Sequence, residues 1–440
     1  MTKVFCAICL LMIFQPVPAA DLVEALRAAR GYDASFAAAA RTRDAGREKV
    51  QQARALLLPQ VALAGNGAYN YNRYAAGQGD ASYEKDGASH GYSVSATQPV
   101  YRIEKLAGSD QLKKQAALAE IQYRISEQDL ILRVAKAYFD VVTAEEKIRV
   151  IDAQKEAISQ QLARAKKSFE VGEATITDTD EAQARFDAAL AQEIAGHNDL
   201  AVKREAFVLL TSLEGGKLAR IGDRQQPAAP EPNDPATWFD RAERNNFALA
   251  GQRINLEIAR REIDKYRAET APSLDLTASY GDSWKAGGIS NSGARDRNGS
   301  GVIGLQLSVP LYTGGNRSSQ MREALAREDA QRNTVEAVRR DTVQETRRAF
   351  LGVQSGAAQI RALQQALVSS KSLVDSTTLG REVGVRTTID VLNALQQYFS
   401  TRYDLMVARS NYLYSRLQLV AAAGELTETD VVEVNRWLSE

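Results

Sequence analysis

The stretch Arg381-Glu382-Val383-Gly384-Val385-Arg386-Thr387-Thr388-Ile389-Asp390 has the composition of a turn between two helices. A related stretch, Phe169-Glu170-Val171-Gly172-Glu173-Ala174-Thr175-Ile176-Thr177-Asp178, lies 212 positions earlier in the chain. Glycine supplies the backbone freedom that a helix end needs. Thr177 and Thr387 are candidate N-caps of the helices that follow, each with an aspartate in its first turn. Each stretch is therefore predicted to form the tip of a helical hairpin.

A similar offset recurs outside the tips, which indicates an internal duplication. Pro59 and Pro272 are 213 positions apart, and Tyr101 and Tyr312 are 211 positions apart. This period is too long for a solenoid and favours two similar halves of one large unit. The predicted divisions are a signal peptide 1–20, a first structural repeat 21–226, a Pro-rich linker 227–236, a second repeat 237–424 and a C-terminal segment 425–440.

The N-terminus predicts export from the cytoplasm. Residues 1–20 combine Lys3, an apolar run and small residues before the expected cleavage point, which is the pattern of a secretory signal. Cys6 and Cys9 both fall within it, so the mature chain is expected to lack a thiol nucleophile, a disulfide and cysteine metal ligands. Lysine plus arginine equals aspartate plus glutamate at 55 each, so no nucleic-acid partner is expected.

Two segments in each half alternate apolar and polar residues, which is the period of a β-strand with one apolar face. The alternating segments are 61–71, 92–100, 273–280 and 303–311. Polar loops are expected at 75–91 and 286–301, within β-hairpins over about 60–101 and about 273–312. Two isolated hairpins would be marginal in water. They are therefore either ordinary surface hairpins or strands that several chains contribute to one closed barrel.

Helical periodicity with almost no proline occupies the rest of each half. The predicted elements are a helix over 21–56 and long helical hairpins over about 105–215 and about 315–423. At 1.5 Å per residue, the first long helix would extend roughly 95 Å, which suits a coiled-coil-like assembly rather than a globular core. Gly352 and Gly356 are expected to mark a local irregularity in the second long helix.

The sequence shows no pattern of an enzyme, cofactor or metal site. The glycines of 299–304 match G-x-G-x-x-G, but a nucleotide site needs a strand before this motif and a helix after it, and the reverse order is expected here. His90 and His197 have no second ligand at metal-binding spacing, so both are expected to be solvated. We therefore expect no catalytic activity, no cofactor and no metal ion.

A β-hairpin, a long helix, a V-G-x-x-T tip and a returning helix, repeated behind a signal peptide, resemble the TolC family of outer-membrane channels. The stretch that carries the resemblance best is 383–392, with its counterpart at 171–178. The resemblance implies an internally duplicated α+β membrane protein. Three chains would give four strands each to a twelve-stranded outer-membrane β-barrel, which a long periplasmic α-helical barrel continues. The 425–440 segment would lie in an equatorial belt around the helices.

The resemblance also implies a gate at the periplasmic end. Asp390 matches the first aspartate of the ring that lines the family's constriction, and Asn393 stands at the second position, one turn later. A trimer would then present one ring of three carboxylates where the family often has two rings. The preference of the channel for cations would weaken but survive. The alternative for Asp390 is an ordinary solvated aspartate in a helix first turn. The residues expected to dock a periplasmic adaptor are Val171, Gly172, Val383 and Gly384.

Four further residues match or replace the family's gate tether. Arg386 matches the tethering arginine, and Thr177 and Asp178 match its acceptors on the neighbouring helix pair. Arg381 stands where the family has a tethering tyrosine, which places that contact in question. An exposed pair of Arg386 with Asp178 would contribute only about 1 kcal/mol, small enough for a partner to switch.

The predicted function is a passive exit duct in the outer membrane, with a periplasmic extension, in a type I protein secretion or multidrug efflux system. The implied partners are two further copies of the chain, a periplasmic membrane-fusion adaptor, an inner-membrane ABC or RND transporter and outer-membrane lipid. The alternative is a structural coiled-coil spacer without a pore. A channel would be extracted from membranes by detergent as a trimer, whereas an exported spacer would stay in solution.

Overall fold

The computed structural model describes residues 20–74, 83–172, 174–214, 218–222, 225–267, 271–292 and 294–439. The predicted signal peptide lies outside the described residues, apart from Ala20. The helices are α1 (Leu22–Tyr32), α2 (Ala34–Arg47), α3 (Lys49–Ala55), α4 (Ile103–Glu170), α5 (Ile176–Thr211), α6 (Pro235–Asn245), α7 (Phe247–Asp264), α8 (Asn316–Glu382), α9 (Thr388–Ala422) and α10 (Glu428–Asn435). The strands are β1 (Gln60–Tyr74), β2 (Tyr83–Tyr101), β3 (Arg220–Ile221), β4 (Ser273–Ala286), β5 (Arg295–Ser308) and β6 (Leu438–Ser439). Long helices beside a four-stranded sheet confirm the α+β class.

The predicted single helix over 21–56 is wrong, because the chain divides there into α1, α2 and α3. The first break is at Asp33, whose backbone is extended. Its carboxylate accepts hydrogen bonds from the Phe36 N–H at 3.1 Å, the Ser35 hydroxyl at 2.7 Å and the Arg133 guanidinium at 2.8 Å. A side chain that caps the next helix competes with helix continuation, so Asp33 ends one helix and starts another.

The sheet has the strand order β1-β2-β4-β5, and all its pairs are antiparallel. Both predicted polar loops, 75–91 and 286–301, are too long, because 83–91 belongs to β2 and 295–301 belongs to β5. The glycines and serines of these segments continue the ladder of a longer strand instead of forming a turn. Residues 309–311 lie beyond β5, where Pro310 has no N–H to donate to a neighbouring strand.

The register gives the sheet two different faces. One face carries large apolar side chains: Val61, Leu63, Val94, Leu276, Ile303, Leu305 and Leu307. The other carries small polar side chains: Asn66, Asn70, Ser93, Ser95, Thr277, Ser279 and Gln306. The apolar residues are not core residues, since Leu63 is 74% and Ile303 is 77% exposed in the single chain. An exposed apolar face of this size requires a cover that the described residues of one chain do not provide.

Each half contains one long and one shorter helix that form a hairpin, as predicted. The helix α4 has 68 residues and α5 has 36, while α8 has 67 and α9 has 35. The expected irregularity at Gly352 and Gly356 is wrong, because α8 continues through both. A Cβ at Gly352 would lie 3.2 Å from the Ser415 hydroxyl, and one at Gly356 would lie 3.4 Å from Tyr412 Cβ. These glycines therefore allow α9 to pack closely against α8.

By contact density the chain forms two compact units. One contains residues 20–39, 124–246 and 340–439, and the other contains 40–123 and 247–339. The sequence repeats and the compact units therefore divide the chain differently. Each unit takes segments from both repeats, since α4 and α8 each contribute residues to both units.

The region between the two repeats is more ordered than the predicted linker 227–236 implies. Asp234 caps α6 by accepting from the Ala236 and Thr237 N–H groups, and Pro235 occupies the first helical position, where its missing N–H costs nothing. The last two residues of the predicted linker are therefore helical. Among the C-terminal residues, β6 pairs with β3, and α10 precedes it.

Candidate functional site

The two hairpin tips contain the residues predicted to dock an adaptor. Gly172 and Gly384 adopt left-handed backbone conformations with φ of +80° and +79°, which side-chain-bearing residues rarely adopt. No atom of the described residues, the chain neighbours of each glycine aside, lies within 4 Å of the position that a Cβ would take at Gly172 or Gly384. Val171 and Val383 beside them are 64% and 65% exposed. Both tips therefore present an apolar side chain and open backbone to the solvent.

Equivalent backbone hydrogen bonds close both tips. The N–H of Arg386 donates to the carbonyl of Gly380 over 3.1 Å, and the N–H of Ala174 donates to the carbonyl of Ser168 over 3.2 Å. These two pairs are related by the 212-residue offset. The bonds occupy carbonyls of the last helical turn that would otherwise lack a partner, so the duplication preserves the turn itself.

A reciprocal capping box starts each returning helix. Thr387 accepts from the Asp390 N–H, and the Asp390 carboxylate accepts from the Thr387 N–H at 2.9 Å and hydroxyl at 3.0 Å. In the first tip the cap is Thr175, with Asp178 as its partner. The prediction of Thr387 is confirmed, and that of Thr177 is wrong. The 212-residue offset relates Thr387 to Thr175 and would have identified the correct residue.

The predicted ring residues lie on the exposed side of the start of α9. The buried face of this helix carries Val391, Leu392 and Leu395, which join two apolar clusters with residues of α4 and α5. Asp390 is half-buried and Asn393 is exposed. The Thr387 N–H and hydroxyl, with the Arg386 charge, hold the pKa of the Asp390 carboxyl below its ordinary value. Asp390 is therefore a carboxylate at neutral pH.

Asn393 has a partner that the sequence did not reveal. The Arg185 guanidinium donates to Asn393 Oδ1 over 3.3 Å and to Gln396 Oε1 over 2.6 Å. The same guanidinium donates to Glu181 Oε1 over 3.0 Å. Arg185 thus links α5 to α9 and places a positive charge beside the second ring position.

Among the described residues of one chain, Arg386 and Asp178 do not form an ion pair, and a tether between neighbouring helix pairs stays a prediction. The Asp178 carboxylate accepts from Thr175 instead, and the stem of Arg386 lies over Gly380, where an added Cβ would be 2.8 Å from Arg386 Cγ. Thr177 is exposed and lies outside this contact.

A groove between the two tips contains the remaining predicted residues. This tip groove has a volume of about 670 Å³. Its lining includes Arg381 and Arg386 from the second tip and Asp178 and Val171 from the first. Arg381 is half-buried, and its Nε is buried without a hydrogen-bond partner among the described residues. The structure therefore brings three of the four tether residues to one groove but pairs none of them with another.

The glycine motif and His90, neither of which was predicted to form a site, have clear places in the fold. The glycines of 299–304 lie within strand β5, so no helix follows them. His90 is exposed, and its ring stacks on Trp284 with 5.3 Å between the ring centroids. Among the described residues, no group of three or more His, Cys, Asp or Glu side chains is arranged to hold a metal ion. Within the same residues, no helix combines the length and the apolarity that a membrane crossing requires.

Comparison with known families matches both halves of the chain. The sequence model described as "Outer membrane efflux protein" matches residues 25–212 and again residues 238–425. The chain belongs to this family of outer membrane efflux proteins. The two matches, one in each half, confirm the internal duplication. Membership also confirms the prediction of an outer-membrane export channel with a periplasmic extension, and it disfavours a spacer without a pore.

Similar proteins cover nearly the whole chain. Outer membrane protein TolC of Vibrio cholerae is 35% identical over 424 residues, which are 96% of this chain and 94% of that protein. The alkaline protease secretion protein AprF of Pseudomonas aeruginosa is 32% identical over 432 residues, with coverage of 96% and 88%. The family consists of channel proteins rather than enzymes.

Solved structures show the same fold. The CmeC outer membrane channel of Campylobacter jejuni matches with a TM-score of 0.78 at 15% identity, over 95% of this chain and 90% of that one. The outer membrane protein VceC of Vibrio cholerae matches with a TM-score of 0.77 at 17% identity, over 92% and 96%. At these identities, the likeness describes the fold and not the substrate.

Proposed function

We propose that three copies of this chain form a passive duct, with a twelve-stranded barrel in the outer membrane and a helical tunnel in the periplasm. The four-stranded sheet is the observation that carries this proposal. Its outer strands β1 and β5 each have one strand partner in the described part of the chain. Strands of 15 and 14 residues with unpaired edges are a liability unless another chain covers them.

The two faces of the sheet support closure into a barrel in lipid. A membrane barrel alternates apolar side chains towards lipid with polar side chains towards the lumen. The row Val61, Ala96, Ala278 and Ile303 belongs to the apolar face, and neighbouring rows of serine, threonine and asparagine belong to the other. Pairing β5 of one copy with β1 of the next would satisfy both edges and give the apolar face its cover.

The periplasmic end of the duct is proposed to contain a selectivity ring of Asp390. The carboxylate is held by Thr387 and is ionised at neutral pH. The opposite face of α9 is buried against its own chain, which leaves the Asp390 and Asn393 side free for the lumen. The proposal for the gate rests on Asp390, and the Arg386 tether stays a prediction beside it.

The proposed partners are a periplasmic adaptor at the tips and an inner-membrane ABC or RND transporter that supplies the energy. Relatives named for protease secretion, AprF and PrtF of Dickeya chrysanthemi, are 32% and 30% identical to this chain. The efflux protein BepC of Brucella suis is 23% identical. The higher identity to the two protease secretion proteins favours a protein substrate and a type I secretion system over small-molecule efflux.

Single-channel conductance in planar bilayers tests the duct. The wild-type protein, purified in detergent, should insert and conduct with a preference for cations. Asp390→Asn should lower the cation-to-anion permeability ratio, because it removes three carboxylates from the constriction. Asp178→Asn is the matched control: it weakens the equivalent capping box in the first tip without removing a ring charge, so selectivity should persist.

Two results would contradict the proposal. Absence of conductance from inserted, trimeric wild-type protein would exclude an open or openable duct. Equal selectivity changes from Asp390→Asn and Asp178→Asn would show that charge at the tips in general, and not the Asp390 ring, sets the preference.

A further inference from the structure

Strand β4 carries two aspartates that form ion pairs of similar geometry. Asp275 accepts from Arg102 Nε, which lies 2.8 Å from Oδ1 and 3.1 Å from Oδ2, and also from Arg102 Nη2. Asp282 accepts from Arg297 Nε at 3.2 Å and from Arg297 Nη2 at 3.0 Å. The two aspartate side chains are only 6% and 3% exposed. Both carboxylates are therefore buried, and a guanidinium satisfies each of them.

The two ion pairs lie on opposite faces of the sheet. Successive side chains of a strand alternate between its faces, and an odd number of positions separates Asp275 from Asp282. Asp275 belongs to the small polar face, where Gln306 is its cross-strand partner, and Asp282 belongs to the apolar face. Since Arg102 reaches the Asp275 carboxylate, the Arg102 guanidinium also lies on the polar face.

The Asp275 pair lies away from the edges at which another copy would join. Arg102 directly follows β2, and β2 and β4 are the two inner strands of the order β1-β2-β4-β5, whereas the proposed seam between copies joins β5 to β1. Glu104, the charged residue nearest to Arg102 in the sequence, pairs with Arg317 at 3.0 Å. The pairing of Arg102 with Asp275 is therefore formed within a single chain.

Charge on the polar face is confined to the ends of the strands. Among the residues that the structure describes, Lys85, Lys285 and Asp296 lie near the hairpin loops, and Asp275 lies at the end that joins the helices. The rows between these ends contain uncharged side chains, mostly Ser, Thr, Asn, Gly and Ala. An ion that moves along this face would therefore meet charge only at its two ends.

The ion pair occurs once in each chain, although the sequence is duplicated. Ala62 stands 213 positions before Asp275, and Thr313 stands 211 positions after Arg102. Each repeat thus supplies one partner of the pair, and neither repeat has both. Three copies of the chain would contribute three such pairs at one level of the barrel.

We propose that Asp275 is a determinant of ion selectivity at the inner mouth of the barrel, because it cancels the positive charge of Arg102. This inference rests on the proposed function, since the polar face lines a lumen only when three copies close the barrel. The three pairs leave the mouth neutral, so cations that pass the Asp390 ring meet no positive barrier there. Without Asp275, three arginines would repel cations and attract anions.

Reversal potentials across a KCl gradient in planar bilayers test this role, because they give the ratio of K⁺ to Cl⁻ permeability. Asp275→Asn should lower this ratio by about twofold, since charges that act through water across a lumen are weakly felt. The shift should be largest near 0.1 M salt, where the Debye length is about 10 Å, and small near 1 M, where it is about 3 Å. Arg102→Gln should raise the ratio, because it leaves three carboxylates without their arginines.

Two further variants separate charge from damage to the structure. Asp275→Asn combined with Arg102→Gln should return the ratio to the wild-type value, because both charges are then absent, whereas a disturbed mouth would stay disturbed. Asp282→Asn is the matched control. Asp282 lies in the same strand, is equally buried and pairs with Arg297, but it belongs to the apolar face, so its loss should leave the ratio unchanged.

The outcomes distinguish this inference from the duct itself. An unchanged ratio in Asp275→Asn, or shifts of the same sign in Asp275→Asn and Arg102→Gln, would overturn the role of Asp275. An equal shift in Asp282→Asn, or no recovery in the double variant, would overturn it as well. If Asp390→Asn still lowers the ratio in the same recordings, the duct and its ring stand while the Asp275 proposal fails. If inserted, trimeric wild-type protein does not conduct, both proposals fail.

Discussion

The first and second hairpin tips share a backbone and differ in the side chains around the tip groove. Both have a left-handed glycine, equivalent carbonyl acceptors and a Thr–Asp capping box. At the positions related by 212 residues, Phe169 corresponds to Arg381 and Ala174 corresponds to Arg386. The duplication thus retains the residues that the turn needs. The side chains that differ between the tips are ones that the turn does not require.

A second difference is coupled to the first. Ser168 stands where the second tip has Gly380. A Cβ at Gly380 would meet the Arg386 stem at 2.8 Å, whereas Ala174 in the first tip has no stem to accommodate. The arginine and the glycine therefore form one unit of the second tip, and neither is required by the turn alone.

The largest predicted effect tests the feature that both tips share. Gly172→Val and Gly384→Val should each destabilise their tip by about 1–3 kcal/mol, since a β-branched residue is strained at positive φ. Hydrogen exchange of the tip amides measures the loss. Gly→Asn at the same sites should cost less, because asparagine adopts this conformation more readily. Tolerance of valine in one tip would show that the turns are not equivalent.

The capping boxes should give smaller and equal effects. Thr175→Ala and Thr387→Ala should each cost about 1 kcal/mol of local stability, because each change leaves a first-turn N–H without its acceptor. Hydrogen exchange in the first turns of α5 and α9 is the measurement. Thr177→Ala is the matched control and should stay within about 0.5 kcal/mol of the wild type. A larger loss from Thr177→Ala than from Thr175→Ala would contradict the assigned cap.

Exchanging side chains between the tips should reveal coupling in one tip only. Gly380→Ser should displace the Arg386 stem, and the additional change Arg386→Ala should relieve the clash. The double-mutant cycle should show a coupling of at least about 0.5 kcal/mol, as expected for residues in contact. The corresponding cycle of Ser168→Gly with Ala174→Arg reports on the first tip. Additive effects of Gly380→Ser and Arg386→Ala would refute the contact.

Acidification should weaken the capping box of the second tip. The pKa of Asp390 is lower in the folded chain than its ordinary value of 3.8, so its ionised form stabilises the start of α9. This contribution is complete above the ordinary pKa and is lost as the pH falls through the lowered pKa. Amide exchange at Thr387 followed from about pH 5 downwards should show the transition. The same transition in Asp390→Asn would assign it to another group.

The smallest effect concerns the second ring position. The first tip has Glu181 where the second has Asn393, related by the same offset. Asn393→Asp should raise cation selectivity only slightly, because Arg185 lies 3.3 Å from this position and would partly neutralise the new carboxylate. Combining it with Arg185→Gln should increase the gain in bilayer recordings. A full gain from Asn393→Asp alone would show that Arg185 does not act on the ring.

The sequence by itself determined the features that depend on local periodicity and on repetition. The duplication, the hairpin tips at Gly172 and Gly384, the strand segments and the long helices followed from spacing along the chain. These features are encoded within a few residues or by a constant offset, so no knowledge of distant contacts was necessary.

Only the tertiary structure decided which side chains meet. Arg185 and Asn393 are 208 positions apart, and the carboxylate of Asp33 accepts from Arg133, 100 positions away. Arg386 rests on Gly380, on the other side of a turn. Such contacts depend on how the helices pack and on which acceptors are already occupied. Local periodicity carries neither kind of information, so the tip groove emerged only from the folded chain.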